Sequence, residues 1–267
     1  MTARRTTFLF TALGLLTAAL FIADLAVGSV AVPLGDVWAA LTGGSCDPAT
    51  SDIILKIRLL KAVTALFAGA ALAAGGLEMQ TLFRNPLAGP YVLGVSSGAG
   101  LGVALFLLGA PLLGVAGHSF VRSLGDVTGS QLALLLPVVT AGLALAVAVI
   151  KPLNLLLLGE NYARTMGLNV QRTRTLIFLS TVLLAGTVTA FCGPVGFIGL
   201  AVPHLARMLF ASADHRILMP GSMLAGAALL LVCDLVAKSL ALPINTITAL
   251  MGIPVVIFVV VRNRNIF

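Results

Sequence analysis

Long apolar segments separated by short polar ones make up most of the chain. A helix needs about 20 predominantly apolar residues to cross the hydrocarbon core of a bilayer. Eight segments approach or reach this length, at residues 7–29, 62–80, 91–115, 131–150, 175–191, 195–211, 218–236 and 245–261. The pattern predicts an all-α fold, a polytopic transmembrane helical bundle of about eight spans that forms a single domain over residues 1–267.

The composition also indicates a membrane protein. Hydrophobic residues make up 59% of the chain and charged residues 9%, and the mean hydropathy is +1.11. So few charges cannot solvate a globular surface of this size, so most of the outer surface is expected to face lipid. Arg4 and Arg5 precede the first apolar run, which no convincing cleavage site closes, and this run is therefore interpreted as a membrane anchor.

The distribution of basic residues predicts the orientation. With the N-terminus inside, eleven of the sixteen Lys and Arg residues fall on the cytoplasmic side and five on the outer side. This asymmetry predicts that both termini are cytoplasmic and that residues 30–61 form a periplasmic loop, with a short interfacial helix at 32–41. The net charge of +7 is scattered among apolar segments, so nucleic acid is not an expected partner.

One polar interruption, residues 84–90 (RNPLAGP), separates two apolar runs. Pro86 and Pro90 each remove a backbone donor and disfavour a helical conformation in the residue before them. Asn85 can bond the freed backbone groups, and Arg84 adds a charge at the helix end. Taken alone, these residues predict a structural hinge between two helices.

A second unusual segment, residues 193–207 (GPVGFIGLAVPHLAR), is dense in glycine and proline. Gly193, Pro194 and Pro203 are expected to bend or unwind the helix there. His204 and Arg207 follow on the same segment. No second His, Cys or carboxylate lies at ligand spacing from His204, which favours a structural hydrogen bond over metal ligation.

These two segments resemble the signatures of FecCD/BtuC-type permeases. The first match extends over residues 75–102 and the second over residues 193–207. Members of that family carry iron-siderophore complexes, haem and cobalamin across the bacterial inner membrane. The resemblance implies a homodimeric permease that works with two ATP-binding-cassette subunits and a periplasmic substrate-binding protein. Its substrate would be a metal chelate, with iron-siderophore or haem expected first and cobalamin second.

The resemblance also implies a cytoplasmic coupling segment at residues 153–174. In the family, two short helices broken at a glycine fit into a cleft of the ATP-binding subunit. The matching residues here are Gly159, Glu160, Ala163, Arg164 and Gly167. Glu160 and Arg164 are four residues apart and can pair on one helical turn. An ordinary charged loop is the alternative.

Three outer basic residues, Arg58, Lys61 and Lys238, match the rim positions at which the family's permeases receive acidic residues of the binding protein. Rim charges steer a partner and fix its register. Lysine at two of the positions cannot make the bidentate contact of arginine. Ordinary snorkelling of basic side chains at helix ends is the alternative.

The chain departs from the family in two respects. Family permeases have ten helices, and the fourth and fifth are expected to be missing here, with the junction at residues 118–122. In addition, Glu78 stands where the family usually has an uncharged residue. Like Asp24 and Asp234 it lies within or near the end of an apolar span, and all three are expected near helix ends and partly solvated.

No catalytic constellation, phosphate-binding loop or metal motif appears in the sequence. ATP hydrolysis is therefore expected from a separate subunit, and no cofactor is expected. Two other classes remain as alternatives, a non-transporting remnant or regulatory membrane subunit and a secondary transporter. The second would place ionisable residues at the bilayer midplane, whereas those of this chain are expected near helix ends.

Overall fold

The computed structural model describes residues 3–28, 31–92, 94, 97–98, 101 and 127–263. Every regular element among them is helical, which confirms the all-α prediction. The α-helices are α1 Ala3–Ala26, α2 Leu34–Thr42, α3 Pro48–Asp52, α4 Leu59–Leu82, α5 Gly129–Ala148, α6 Ile150–Leu157, α7 Glu160–Thr165, α8 Val170–Thr181, α9 Thr187–Cys192, α10 Ile198–Phe210, α11 His215–Leu240 and α12 Ile244–Asn263.

Five helical stretches of the described chain are long and apolar enough to cross a membrane. They are Arg4–Ala26, Pro48–Leu82, Gly129–Ala148, Val170–Cys192 and His215–Leu240. Each contains or overlaps a span predicted from the sequence. Two of these stretches contain π-helical turns, at Ile53–Arg58 before α4 and at Val182–Gly186 between α8 and α9.

The predicted span at 195–211 is shorter in the structure. Gly193 and Phe197 both have positive φ, 76° and 67°, so α10 begins only at Ile198. Its 13 residues extend about 20 Å, less than the thickness of the hydrocarbon core. Within α12, Ile244–Phe258 forms another apolar stretch, and the span predicted at 91–115 lies mostly outside the described residues.

The loop that was predicted to lie outside the membrane is also shorter than expected. It was expected over residues 30–61, but Pro48 begins a helix that continues into α4. The Asp47 carboxylate caps that helix by accepting the backbone N–H of Thr50 at 3.1 Å. A short helix, α2, is present where an interfacial helix was expected, and its Trp38 is 70% exposed.

α4 is the central helix of the described bundle and is buried along most of its length. Glycines set its distance from two neighbours. A Cβ on Gly69 would collide with the backbone of Gly226 on α11, and a Cβ on Gly76 would collide with the backbone of Gly199 on α10. Such close backbone contacts stabilise helix pairs in lipid, where no hydrophobic effect drives helices together.

Candidate functional site

The two glycine- and proline-rich segments pack directly against each other. The His204 ring Nε2 lies 2.8 Å from the carbonyl oxygen of Pro86, and the Tyr91 hydroxyl donates to the carbonyl of Val195 at 3.1 Å. Pro90 fills the space beside Gly199, where a Cβ would come within 2.6 Å of the proline ring. Residues 86–91 and α10 therefore form one packed unit, and His204 makes the kind of contact expected of a structural histidine.

Arg207 ties this unit to α4 through a residue that the sequence did not single out. Its Nη1 donates to Gln80 Oε1 at 2.6 Å, and Gln80 Nε2 donates to the carbonyl of Leu200 at 3.1 Å. Gln80 is 3% exposed, so both ends of its amide are bonded inside the bundle. The available signal was an amide two residues after Glu78, near the end of a mostly apolar helix.

The remaining hinge residues fix the backbone at the ends of helices. Arg84 has a φ of 49° after the last turn of α4, and the Asn85 Oδ1 accepts the backbone N–H of Leu87 at 2.9 Å. Gly193 ends α9 with a φ of 76° and is followed by the exposed Pro194, whereas Pro203 is buried inside α10. The chain therefore turns sharply at both segments.

Arg84 also joins the hinge to the predicted coupling segment. Its Nη2 donates to the carbonyl of Leu156 at 3.0 Å, at the end of α6. The same nitrogen would lie 3.3 Å from a Cβ on Gly159. The end of α4 is thus held against the break between α6 and α7.

The segment itself consists of two short helices, α6 and α7, separated at Gly159. Gly159 has a φ of 114° and Gly167 a φ of 83°, conformations that favour glycine. Ala163 is fully buried, whereas Arg164 is exposed. Apolar side chains project outward from the same segment, with Leu158, Tyr162 and Met166 between 51% and 63% exposed.

Glu160 has a different partner from the one expected. Its carboxylate pairs with the guanidinium of Arg174 on α8 and not with Arg164. The reason is that α7 folds back towards α8, which brings Arg174 to Glu160 across the turn. This ion pair lies in a cleft of about 700 Å³ lined by Leu82, Phe83, Arg84, Leu158, Gly159, Glu160, Asn161, Tyr162 and Arg174.

At the opposite end of α4 and α11, two lysines surround two buried carboxylates. Lys238 Nζ lies 2.9 Å from Asp24 and 2.8 Å from Asp234, and Lys61 Nζ lies 3.0 Å from Asp234. Both aspartates are fully buried, so the expectation that they are partly solvated was wrong. A carboxylate at this depth needs paired cations to offset its desolvation. The four-residue spacing of Asp234 and Lys238 is visible in the sequence, but the pairings of Lys61 with Asp234 and of Lys238 with Asp24 are not.

Arg58 belongs to the same end but is itself 5% exposed. Its Nη1 donates to the carbonyls of Leu25 and Ala26 at 2.8 and 2.7 Å, which satisfies the last turn of α1. The three residues predicted as a docking rim, Arg58, Lys61 and Lys238, therefore converge, and they also hold α1 against α4 and α11.

Glu78 is the third acidic residue expected to be partly solvated, and it too is fully buried. Its Oε2 accepts from the Thr181 hydroxyl at 2.9 Å, which links α4 to α8. Among the residues described, no three His, Cys, Asp or Glu side chains come together in a group that could hold a metal ion.

Comparisons with known proteins match nearly the whole chain. The model of the FecCD transport family matches residues 15–128 and 117–262. The hemin transport system permease protein of Yersinia pestis is 33% identical, over 89% of this chain and 90% of its own length. The ferric enterobactin transport system permease protein of Escherichia coli is 32% identical, over 90% of this chain and 91% of its own length.

A solved structure agrees with these matches. It is described as an inward-facing conformation of a metal-chelate type ABC transporter, and it superimposes with a TM-score of 0.79 at 26% identity over 96% of this chain and 99% of its own. The uncharacterized ABC transporter permease protein of Bacillus subtilis aligns at 32% identity over 319 positions. This alignment is longer than the 267-residue chain, so the relative contains residues with no counterpart here.

Proposed function

The chain belongs to the FecCD transport family, and we propose that it is the membrane-spanning permease subunit of an ATP-binding-cassette importer that moves a metal chelate from the periplasm to the cytoplasm. The observation that carries this proposal is the helix pair α6–α7, broken at Gly159 and held to the end of α4 by Arg84. That arrangement offers a surface for an ATP-binding subunit together with a direct connection to the central helix.

The surface of the coupling segment suits a protein partner. Leu158, Tyr162 and Met166 are exposed beside the Glu160–Arg174 ion pair, and association would remove their apolar area from water. Arg164 adds an exposed positive charge that can pair with an acidic residue. ATP binding and hydrolysis would take place in two partner subunits, and their closure would move α6 and α7.

The opposite end of the bundle suits an acidic partner. Lys61, Lys238 and Arg58 place three basic side chains beside Asp24 and Asp234 at this end. The Lys61 side chain is 20% exposed and that of Lys238 is 10% exposed, so Lys61 is the more accessible. A periplasmic binding protein with acidic residues would dock here and be steered by this charge.

The assembly follows the same proposal. Two copies of the chain would enclose the translocation pathway in the bacterial inner membrane, with both termini in the cytoplasm. The substrate would be an iron-siderophore complex or haem in the first place and cobalamin in the second. The names of relatives support this range, since they include hemin, ferric enterobactin and vitamin B12 transport systems.

Uptake into proteoliposomes tests the proposal. The chain would be reconstituted with its cognate ATP-binding subunit, and haemin, ferric enterobactin and cobalamin would each be supplied with the loaded binding protein. We expect uptake of one of them that depends on ATP. Absence of uptake for all three, from a complex verified as assembled, would contradict the proposal.

A non-transporting membrane subunit is the second candidate. It is favoured by the alignment to the Bacillus subtilis relative, which contains positions that this chain lacks, as the prediction of a missing block requires. The junction of that block, residues 118–122, lies outside the described residues. A non-transporting subunit would assemble with its ATP-binding partner, but the loaded binding protein would not stimulate ATP hydrolysis.

A further inference from the structure

Asn154, on α6, holds the beginning of α11 with its whole amide group. Its Oδ1 accepts the backbone N–H of His215 at 2.9 Å and lies 2.8 Å from the ring Nδ1 of the same residue. Its Nδ2 donates to Asp214 Oδ1 at 2.6 Å. Asp214 is the N-cap of α11, since its carboxylate also accepts the backbone N–H of Arg216 at 2.8 Å. One side chain of α6 therefore contacts both the cap and the first residue of α11.

The contact continues from His215 to α4. The ring Nε2 lies 2.8 Å from the hydroxyl of Thr81, which in turn lies 2.9 Å from the carbonyl of Leu77. His215 is 1% exposed and Thr81 is 4% exposed. Because the Asn154 oxygen can only accept, Nδ1 must carry a proton. In a neutral ring Nε2 is then an acceptor, and the Thr81 hydroxyl can give its single proton either to Nε2 or to the Leu77 carbonyl. A chain of three side chains thus joins α6, α11 and α4, of which His215 and Thr81 are buried and Asn154 is half-buried.

This chain differs in kind from the apolar packing around it. Leu153 and Leu156 on α6 are buried, but apolar contacts have no preferred direction and tolerate small sliding of one helix on another. Hydrogen bonds have narrow limits of distance and angle, so they fix the register of the helices they join. The backbone N–H of Arg216 also lowers the pKa of Asp214 below its usual value, and the Asn154 amide acts in the same direction. Asp214 is therefore an anion that holds the Asn154 amide firmly.

We infer that Asn154 is a positioning residue that passes movement of the coupling segment through His215 to α11 and through Thr81 to α4. The residue lies five positions before the glycine at which the segment bends. When a partner displaces α6 and α7, the start of α11 and the end of α4 must follow or the buried hydrogen bonds must break. The inference rests on the proposed function, because it assigns a route for the movement that an ATP-binding subunit would produce.

The test measures the number of substrate molecules taken up per ATP hydrolysed by the complete complex in proteoliposomes, with haemin, ferric enterobactin and cobalamin as probes. Asn154→Ala removes the contact of α6 with α11, and Thr81→Val removes the contact of His215 with α4 at nearly unchanged volume. We expect each variant to continue hydrolysing ATP while the ratio falls by about three- to tenfold. The double variant is expected to have an uptake ratio no lower than that of the more impaired single variant, because both substitutions interrupt the same route.

Asn245→Ala is the matched control, since it removes the same amide group from an exposed position at the start of α12. Asn154→Asp covers the case in which Asn154→Ala does not assemble. It keeps the size and the acceptor for His215 but places a second carboxylate oxygen opposite Asp214, and the ratio is expected to fall again. The control variant, Asn245→Ala, should retain the wild-type ratio.

Two results would overturn the inference alone. In the first, the wild-type complex transports one of the probes, and the Asn154 and Thr81 variants take up as many substrate molecules per ATP as the wild type does. In the second, uptake and hydrolysis fall in proportion, which would show a role only in folding or assembly. If wild type itself transports none of the probes, the proposed function fails and the inference fails with it.

Discussion

Buried charge in this chain is compensated residue by residue. Asp234 is fully buried between Lys61 and Lys238, and Asp24 is fully buried beside Lys238. By contrast, Asp52 and Lys56 form an ion pair on the surface, with 61% and 71% of their side chains exposed. Removing one member of a buried pair leaves an unpaired charge, whereas exposed pairs contribute little. The two sites should therefore respond very differently to the same substitution.

Asp234→Asn should destabilise the bundle by about 3 kcal/mol, because Lys61 loses its carboxylate partner and Lys238 keeps only Asp24. Asp52→Asn is the matched control and should cost less than about 1 kcal/mol. Thermal unfolding of the purified chain in detergent, followed by circular dichroism, would compare them. Equal midpoints for the two variants would contradict the buried ion-pair interpretation.

At this scale the sequence predicts which residues are unusual better than it predicts their partners. Glu160 was expected to pair with Arg164 on its own helix, because four-residue spacing is visible in the sequence. Its actual partner, Arg174, is brought near only by the turn between α7 and α8. Gln80 was missed for the same reason, since its bonds to Arg207 and Leu200 depend on how α4 crosses α10.

At the scale of the elements, hydrophobic length predicted the long helices, and backbone exceptions explain the departures. α10 is short because Gly193 and Phe197 adopt positive φ just before it, and a hydrophobicity pattern does not register such a change. The π-helical turn Ile53–Arg58 is likewise invisible in the pattern, although it sets the direction in which Arg58 leaves the helix. Packing of α4 depends on the glycines that face its neighbours.

Gly76→Ala tests that packing. A single added methyl group would collide with the Gly199 backbone, so α4 and α10 would have to separate, at a cost of about 2 kcal/mol or more. Gly14→Ala on α1 is the control, since a Cβ at this position meets nothing within 4 Å and alanine is a better helix former than glycine. Thermal unfolding should show a loss for Gly76→Ala and no loss for Gly14→Ala. A Gly76→Ala protein as stable as wild type would rule out the close contact.

For the whole molecule, the two candidate interaction regions lie at opposite ends of the same helices. α4 begins beside the Lys61–Asp234 pair and ends at the hinge, where Arg84 reaches the coupling segment. α11 begins at the Asn154–His215 contact and ends at Lys238. Since α4 and α11 also pack closely at Gly69 and Gly226, a displacement at one end can reach the other through this pair of rigid helices.

Gly159→Ala tests whether the end of the molecule that carries the coupling segment transmits displacement in this way. Alanine at a φ of 114° is strained by about 1–3 kcal/mol, and its methyl group would press on the Arg84 side chain that holds α4. The strain is confined to the turn between α6 and α7, so the bundle should still fold and assemble. We expect stimulation of ATP hydrolysis by the loaded binding protein to fall by about fivefold.

Gly35→Ala on α2 provides the comparison, because a Cβ there meets nothing within 4 Å and lies at the other end of the molecule. Its stimulated hydrolysis should equal that of wild type. If Gly159→Ala also retained full stimulation, the break between α6 and α7 would have no part in coupling. If Gly159→Ala instead prevented assembly with the ATP-binding subunit, the turn between α6 and α7 would be needed to bind that subunit. Only the Asn154 route would then remain as a candidate for transmission.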